Sequence, residues 1–294
     1  MNTNFTRRQF LQTTTTAAGI VATSLPAFSD VAPARPRFRI GVCDWMTGKS
    51  PDPDCLRWCA EMGLDGAMVS FGAPGGKFDL RKPEVQQQFA ENTKKYGTCI
   101  ASLGMGVLNE IPYKSDPRTE EWVSDSIDVA KAVGVNVVLL AFFGKDDLKN
   151  DKAGTDETIR RLKRVAPKAE KAGVYLGVES WLSAEEHLQI IDSVGSPAIT
   201  CYYDVGNSTK MGYDIFKEIR TLGTKNIKEF HAKDYAGKLF GQGEIDFWEL
   251  RRTLDAIQYS GWIQLEGPMP LGLQRSYAHD RHFLKAIFPA GAAG

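Results

Sequence analysis

Residues 173–206, GVYLGVESWLSAEEHLQIIDSVGSPAITCYYDVG, contain a complete strand–helix–strand unit. The apolar runs at 174–179 and 198–204 each predict a short strand. The segment between them predicts a helix, because Ser183 and Glu186 have the spacing of a capping box. Both strands are apolar along almost their whole length, which indicates burial on both faces and therefore a parallel sheet.

The same alternation of strand and helix extends in both directions from this unit and predicts eight strands and eight helices. The predicted strands lie at 38–44, 66–71, 98–103, 136–142, 174–179, 198–204, 227–231 and 262–266. This number of units, in about 250 residues, is typical of a single (β/α)8 TIM barrel, an α/β fold. A doubly wound open sheet is the alternative, but it would place its ligand at one switch point of the sheet.

The N-terminal segment predicts an export signal that is separate from the fold. Arg7 and Arg8 form a twin-arginine pattern, a weakly apolar stretch follows at 13–25, and 32–34 is an Ala-Pro-Ala cleavage candidate. We predict a twin-arginine signal peptide and linker at 1–34, with the barrel domain at 35–294. The twin-arginine export machinery is then a partner, and the mature protein is periplasmic or secreted, with no membrane span after processing. The alternative is an accidental arginine pair before a disordered tail.

The composition limits the classes of protein that remain. The chain has 294 residues, of which 43% are hydrophobic and 24% charged, as in ordinary globular proteins. No apolar run is long enough for a polytopic membrane protein. The formal net charge is zero, so no nucleic-acid partner is predicted. The five cysteines are expected to be small buried residues rather than a disulfide framework. The oligomeric state stays open, with a homo-oligomer as one alternative.

Four consecutive predicted strands each end in a residue that can bind a metal ion: Glu179, Asp204, His231 and Glu266. In a barrel, the C-terminal ends of the strands meet at the face that carries the active site. Three carboxylates placed there would repel one another and raise each other's pKa values, and a divalent cation would remove that repulsion. We therefore predict a metal site with Mn²⁺ as the first choice, since this oxygen-rich set suits Mn²⁺, Mg²⁺ or Co²⁺ better than a structural zinc. Zn²⁺ remains an alternative. Taken singly, each acid is explained as well by a helix cap or a surface group.

Short motifs around these residues resemble those of the xylose isomerase-like barrels. This group includes ketose 3-epimerases, hydroxypyruvate isomerases, inosose dehydratases and sugar phosphate isomerase/epimerase-type proteins. The resemblance extends over the chain from about residue 37. The matching motifs are GVES at 177–180, YYDVGN at 202–207, HAKD at 231–234, GQGEIDF at 241–247 and LEG at 265–267.

The resemblance implies that Glu179 and Glu266 bind the metal and also flank the reacting carbon. One glutamate would remove a proton next to a carbonyl, giving a metal-stabilised enediolate, and the other would return a proton on the opposite face. The predicted function is a divalent-metal-dependent isomerase or epimerase for a free sugar or keto-sugar, because export disfavours phosphorylated metabolites. Two alternatives remain: a lyase or dehydratase acting on 3-keto-glycosides or inosose-like substrates, and a carbohydrate-binding barrel without catalysis.

The chain also departs from the epimerase pattern at two positions. The epimerases have a histidine three residues after the aspartate ligand and an arginine six residues after the histidine ligand, where this chain has Asn207 and Gly237. Lys233 follows His231 by two residues, so strand alternation places both on the same side. We predict that Lys233 supplies positive charge in catalysis. The alternative is an ion pair with Asp234 or with a barrel carboxylate.

Several further residues are weaker candidates. Trp45, Phe143, Trp181 and Asn207 follow predicted strands and are expected to contact the substrate, although core packing explains Trp45 and Phe143 about as well. Glu229 lies one layer below His231 and needs a buried partner. The remaining histidines are expected on solvated helix faces, which argues against the trinuclear zinc site of the related apurinic endonucleases. These histidines are His187, His279 and His282.

Overall fold

The computed structural model describes residues 37–72 and 74–291, so the predicted leader at 1–34 lies outside the described residues. The sheet is a closed barrel of eight parallel strands that follow one another in chain order. The barrel closes where the first strand pairs with the last, with Phe38 opposite Gly261 and Val42 opposite Leu265. The prediction of a single (β/α)8 barrel is confirmed.

Strands and helices alternate around the barrel. The strands are β1 Phe38–Cys43, β2 Gly66–Ser70, β3 Cys99–Met105, β4 Val137–Phe142, β5 Tyr175–Ser180, β6 Ile199–Asp204, β7 Ile227–Ala232 and β8 Gly261–Leu265. The helices are α1 Cys55–Glu61, α2 Pro83–Tyr96, α3 Arg118–Val133, α4 Lys152–Ala172, α5 Ala184–Val194, α6 Val205–Lys210, α7 Ile215–Asn226, α8 Phe247–Ala256 and α9 Leu273–Ile287. Helix α5 begins with the predicted capping box of Ser183 and Glu186.

The short helix α6 was not predicted from the sequence. It begins directly after β6, because the side chain of Asp204 accepts hydrogen bonds from the backbone N–H groups of Gly206 and Asn207 at 2.7 and 2.8 Å. A side-chain acceptor of this kind satisfies the free N–H groups of a first helical turn. Asp204 therefore ends a strand and starts a helix in one step.

The strands bury both of their faces, as the apolar runs indicated. All six residues of β4 are buried. Val138, Leu140 and Phe142 join the large core between the sheet and the helices. The intervening residues of β4 point into the barrel and join a smaller inner cluster. Full burial of one such aliphatic side chain contributes about 1.5–3 kcal/mol, so these two layers supply much of the driving force for folding.

Two glycines allow side chains and backbone to approach closely in the barrel interior. A Cβ atom on Gly41 would lie 2.1 Å from Oε1 of Gln264, and one on Gly66 would lie 2.1 Å from the carbonyl oxygen of Cys99. A side chain at position 66 would therefore push against the backbone of β3, whereas one at position 41 would displace the amide of Gln264. The barrel interior is therefore closely packed around these two glycines, and a cavity opens at the C-terminal ends of the strands.

Two further findings bear on the sequence expectations. In the described ranges, no helix combines the length and the apolar character that crossing a membrane requires. The five cysteines are free thiols, and four of them are buried: Cys43, Cys55, Cys59 and Cys201.

Candidate active site

The four predicted metal ligands meet at the C-terminal end of the barrel. Glu179 lies near the end of β5, Asp204 ends β6, His231 lies near the end of β7, and Glu266 follows β8 directly. One ligand atom from each residue lies within 4.8 Å of the ligand atoms of the other three. We call these four residues the quartet. Consecutive parallel strands bring their ends to one place, so residues up to 87 positions apart in the chain become neighbours.

The imidazole of His231 lies at the centre of the quartet and is fully buried. Its Nδ1 is 2.9 Å from Oε1 of Glu179, 3.7 Å from Oδ2 of Asp204 and 3.5 Å from Oε2 of Glu266. One nitrogen therefore faces all three carboxylates. This arrangement places three anionic oxygens around a single nitrogen lone pair or N–H group.

Lys233 provides a second positive group at the quartet. Its Nζ lies 2.8 Å from Oε2 of Glu266 and 3.4 Å from Oδ2 of Asp204. The sequence left open whether Lys233 serves the substrate or forms an ion pair, and the structure places it in an ion pair with two quartet carboxylates. Asp234 instead accepts hydrogen bonds from the backbone N–H groups of Tyr235 and Glu244.

The electrostatics of the quartet follow from burial and from these contacts. Burial raises the pKa of Glu179, although His231 partly opposes that shift. Burial also acts on Asp204, but Lys233 and His231 outweigh it and lower the pKa of this carboxyl. Burial alone would lower the pKa of His231, yet its neighbours, Cys43, Glu179 and Glu266, raise it well above its ordinary value. The quartet therefore concentrates three carboxylates around one imidazole, and Lys233 and His231 offset only part of their negative charge.

Neutral donors fix the orientation of the two glutamates. Nε1 of Trp45 donates to Oε1 of Glu266 at 2.9 Å. Nδ2 of Asn207 lies 3.4 Å from Oε1 of Glu179, and the hydroxyl of Tyr235 donates to Oδ1 of Asn207 at 2.7 Å. Sequence reasoning missed Tyr235, which lies in the loop after β7. Its position four residues after His231 was the available signal.

A cavity of about 440 Å³ opens above the quartet, a volume typical of a small-molecule site. All four predicted substrate-binding residues line it, as do Glu179, Glu266 and Lys233. Phe143 and Trp181 form one aromatic wall, with ring centroids 5.0 Å apart in an edge-to-face arrangement. The full lining comprises Trp45, Ser70, Gly72, Gly104, Gly106, Val107, Asn109, Leu139, Ala141, Phe143, Glu179, Trp181, Asn207, Lys233 and Glu266.

The donor set of the quartet fits a divalent cation. One ligand atom from each of three carboxylates and one imidazole lies within 4.8 Å of the others, and oxygen-rich sets of this kind suit hard divalent ions. The two glutamates also line the cavity, so an ion held there would contact a bound ligand. The residues that would hold it are the quartet, with Lys233 beside them.

A second buried carboxylate lies one layer deeper in the barrel. Glu229 accepts hydrogen bonds from Ser102 at 2.7 Å and from the hydroxyl of Tyr202 at 3.1 Å, and Nε2 of Gln264 lies 3.5 Å away. Burial raises the pKa of Glu229 to about 7, although its hydrogen-bond donors oppose the shift. The partners that the sequence required for Glu229 are thus neutral side chains.

The expectation that His187 lies on a solvated helix face is wrong. His187 is buried, with Nε2 3.1 Å from Oγ of Ser180 and Nδ1 2.9 Å from the carbonyl oxygen of Ser183. These contacts hold the start of α5 against the end of β5. His279 is partly buried and His282 is exposed.

Known proteins share both sequence and fold with this chain. A curated relative, 2-epi-5-epi-valiolone 7-phosphate 2-epimerase of Actinoplanes sp., is 27% identical over 231 residues, which cover 76% of this chain and 83% of the relative. The structure of 3-keto-D-glucoside 4-epimerase from E. coli superposes with a TM-score of 0.71 at 13% identity, covering 85% of this chain and 99% of that one. D-Psicose 3-epimerase from Clostridium cellulolyticum H10 superposes with a TM-score of 0.67 at 17% identity, with the same coverage.

The two solved structures are too distant in sequence to show more than a common fold. A family profile described as "Xylose isomerase-like TIM barrel" matches residues 56–287, which is most of the chain. The match extends from α1 to the end of α9 and includes every member of the quartet. The chain therefore belongs to the xylose isomerase-like TIM barrel family.

Proposed function

We propose that this protein is a divalent-metal-dependent epimerase or isomerase that acts on a free sugar or keto-sugar by removing a proton next to a carbonyl. The observation that carries the proposal is the quartet itself. Three buried or half-buried carboxylates and an imidazole converge at the floor of a cavity. The curated relative from Actinoplanes sp. is named as an epimerase, which supports the same class of reaction.

Glu179 and Glu266 are the proposed proton-transfer groups. Both line the cavity, whereas Asp204 and His231 do not appear in its lining and are proposed as pure ligands. Burial raises the pKa of Glu179, and a raised pKa suits a carboxyl that takes up and releases protons near neutral pH. Removal of a proton by one glutamate and delivery by the other on the opposite face inverts the carbon centre.

A divalent metal in the quartet would supply positive charge where negative charge develops on the substrate oxygens. The chain's own groups would prepare the rest of the site. Trp45 and Lys233 hold Glu266 through its two carboxylate oxygens at 2.9 and 2.8 Å. Asn207, oriented by Tyr235, approaches Glu179. The two glutamates are therefore oriented by different donors, although their carboxylate oxygens belong to the same cluster.

The charge of the cavity favours a substrate without a phosphate group. Lys233 is the only cationic side chain among the described residues of the lining, and its ammonium already contacts two carboxylates. The aromatic walls favour the apolar face of a sugar ring. Lys210 is exposed, and its ammonium lies 4.9 Å from the ring centroid of Trp181, which lines the cavity. If phosphorylated sugars react, Lys210 is the positive group to replace in order to test phosphate binding.

A lyase or dehydratase is the second candidate. It would use the same proton removal and then expel a group from the next carbon. The departures at Asn207 and Gly237 weaken the match to the ketose 3-epimerases, because Gly237 offers no side chain where those enzymes have an arginine. Gly237 lies in an exposed loop with a φ of +66°, a conformation in which most larger residues would be strained.

Hydrogen–deuterium exchange with solvent tests the proposed reaction. The protein with Mn²⁺ is incubated in D₂O with free ketoses, 3-keto-glycosides and ketose phosphates, and the products are followed by proton NMR and mass spectrometry. We expect loss of one C–H signal beside the carbonyl and an isomer that differs in mass only by the deuterium. Release of water or an aglycone would identify a lyase. Binding of sugars without any exchange would contradict an enzymatic function, and chelator-treated protein is the control.

We also propose that the protein is exported by the twin-arginine route. The support is the Arg7–Arg8 pattern and the sequence that follows it. Replacing both arginines with lysine and fractionating cells that express the full chain would test this. Unchanged accumulation in the periplasm would contradict the proposal.

A further inference from the structure

We propose that Cys43 is a positioning residue that holds His231 as a metal ligand by accepting a hydrogen bond from the imidazole nitrogen that faces away from the carboxylates. This inference rests on the proposed metal-dependent function. It assigns to a buried thiol a role that neither the sequence motifs nor the quartet geometry had suggested. Sequence reasoning had treated Cys43 only as a small buried residue.

Cys43 lies at the end of β1 and is fully buried. Its Sγ is 3.2 Å from Nε2 of His231, a residue 188 positions away in the chain. The other nitrogen of the ring, Nδ1, faces the three carboxylates of the quartet. The two sides of the imidazole therefore have separate tasks, with Nδ1 turned toward the ligand cluster and Nε2 turned toward the thiol.

A metal held by the quartet would use the lone pair of Nδ1, so the proton of a neutral imidazole would be on Nε2. That proton needs an acceptor, because His231 is fully buried and a buried donor without a partner is costly. Within the described part of the chain, Sγ of Cys43 is the hydrogen-bonding partner of Nε2. Metal-binding histidines commonly donate their second N–H to a fixed acceptor, which orients the ring.

A thiol suits this position better than a carboxylate would. The quartet already contains three acidic groups, and Glu229 lies in the layer below, 2 residues before His231 in the chain. Another carboxylate behind the ring would add a further negative charge to a buried cluster. Sulfur is a weak, neutral acceptor, so Cys43 orients the ring without increasing the repulsion among the ligands.

Aromatic side chains hold the ring of His231 in the same orientation. The ring of Tyr202 packs 4.6 Å from it, centroid to centroid, and the ring of Trp45 lies edge-on at 6.1 Å. These contacts limit tilting of the imidazole, whereas Cys43 accepts the hydrogen bond from Nε2 in the proposed arrangement. Loss of the thiol should therefore weaken metal binding without releasing the ring from its pocket.

One competing arrangement has to be distinguished, since Cys43, His231 and Glu266 also lie within 4.8 Å of one another through single ligand atoms. In that arrangement the sulfur would itself bind the metal. Co²⁺ separates the two roles, because a thiolate ligand produces a sulfur-to-cobalt charge-transfer band in the near ultraviolet. A thiol that only accepts a hydrogen bond from His231 produces none.

The test compares Mn²⁺ and Co²⁺ binding to the full-length protein and to variants at two buried cysteines. Cys43→Ala and Cys43→Val remove the acceptor, and Cys43→Ser restores one. Cys201→Ala is the matched control, because Cys201 is equally buried in a strand. Isothermal titration gives the Kd for Mn²⁺, thermal melting without metal reports folding, and absorption spectra report the Co²⁺ environment.

We expect Kd for Mn²⁺ to rise about 10- to 100-fold in the alanine and valine variants, to recover to within about threefold in the serine variant, and to remain unchanged in the control. We expect no charge-transfer band with Co²⁺ in the wild type. Wild-type affinity in both the alanine and valine variants would overturn the inference, as would a charge-transfer band that Cys43→Ser abolishes. If the wild type itself binds no divalent ion, the proposed function fails as well, so the two failures are distinguishable.

Discussion

Two buried layers of the barrel contain carboxylates, and they are built in opposite ways. In the upper layer, Glu179, Asp204 and Glu266 crowd around His231 and Lys233 below an open cavity. In the layer beneath, Glu229 lies alone among Ser102, Tyr202 and Gln264, which are neutral. The strands β6 and β7 contribute to both layers.

This difference in surroundings distinguishes the candidate site in the upper layer from the structural carboxylate in the lower layer. Neutral donors hydrogen-bond to the single carboxylate of the deeper layer, so that layer contains no repulsion between like charges that a cation would relieve. The upper layer has three acids against two basic groups, and its charges remain balanced only if a proton or a further cation is present. Crowded like charges beside a cavity therefore distinguish the candidate site from the deeper layer, whereas burial of a carboxylate alone does not.

The largest effect is expected from Glu179→Gln. Glutamine keeps an oxygen that can face His231 but cannot take up the substrate proton, so deuterium exchange into the reacting sugar should slow about 10²- to 10⁴-fold. The exchange rate is measured by NMR and the bound metal by elemental analysis. Glu185→Gln, an exposed acid on α5, is the control. A Glu179→Gln variant that keeps its metal and exchanges at the wild-type rate would refute the proton-transfer role.

Glu229→Leu should affect stability instead of metal binding. It removes the shared acceptor of Ser102 and Tyr202, and buried donors left without a partner should lower the free energy of unfolding by about 3 kcal/mol. Kd for Mn²⁺ should change less than about threefold. Urea unfolding and calorimetric titration measure the two quantities. Glu229→Gln, which keeps one acceptor oxygen, should cost less. A larger rise in the Kd for Mn²⁺ would show that Glu229 also supports the upper layer, so that the two layers are not independent.

Lys233→Met examines the charge balance of the upper layer. Its ion pairs with Glu266 and Asp204 are partly exposed, so their loss should lower the unfolding free energy of metal-free protein by about 2 kcal/mol. The melting temperature gained on adding Mn²⁺ should then exceed that of the wild type, because the ion replaces the missing charge. Lys238→Met, in an exposed part of the same loop, is the control. An equal or smaller gain in melting temperature would argue that Lys233 and Mn²⁺ do not balance the charge of the same carboxylates.

The last effect is a pH dependence of stability and concerns Asp146, a fully buried carboxyl outside both layers. Burial raises its pKa to about 7, although the backbone N–H groups of Lys114 and Tyr113 oppose the shift. The folded protein therefore holds this proton between about pH 4 and pH 7, where the unfolded chain has released it. Asp146 thus contributes stability at acidic pH that is lost as pH rises to about 7.

Asp146→Asn should remove this contribution to the pH dependence. The unfolding free energy of the wild type relative to the variant should fall with pH over that window, by at most about 1.4 kcal/mol per pH unit. Urea melts at several pH values measure it, with Asp147→Asn as the neighbouring control. A pH-independent difference would mean that Asp146 is ionised throughout the window. Burial would then not raise the pKa of this carboxyl in the folded protein.

The sequence predicted the barrel because its apolar runs are local signals that repeat. Each strand end was visible as a polar residue after an apolar run, so the positions of Glu179, Asp204, His231 and Glu266 in one cluster followed once the strands were ordered. The metal bound there, the proton-transfer roles and the export signal remain predictions. The burial of His187 was missed, because its partners Ser180 and Ser183 belong to a strand end and a helix cap whose relative placement is tertiary.

The residues that orient the members of the quartet could not be predicted from the sequence. Trp45 reaches Glu266 across 221 positions, and Cys43 reaches His231 across 188. Neither contact leaves a local pattern, because both depend on closing β1 against β8. The ion pairs of Lys233 were one of two alternatives at the sequence level, and only the packing of β6, β7 and β8 selected the carboxylates concerned.

The sequence by itself determined the repeating strand–helix order, the parallel barrel and which residues end its strands, since hydrophobic periodicity and turn residues act over short distances along the chain. Only the tertiary structure decided how those ends are charged and oriented. Closure of the barrel sets the distances among Glu179, His231 and Glu266, and places Glu229 among neutral donors one layer below. Electrostatic interactions depend on distance and burial rather than on order in the chain. The charge and orientation of the site are therefore set by the tertiary structure.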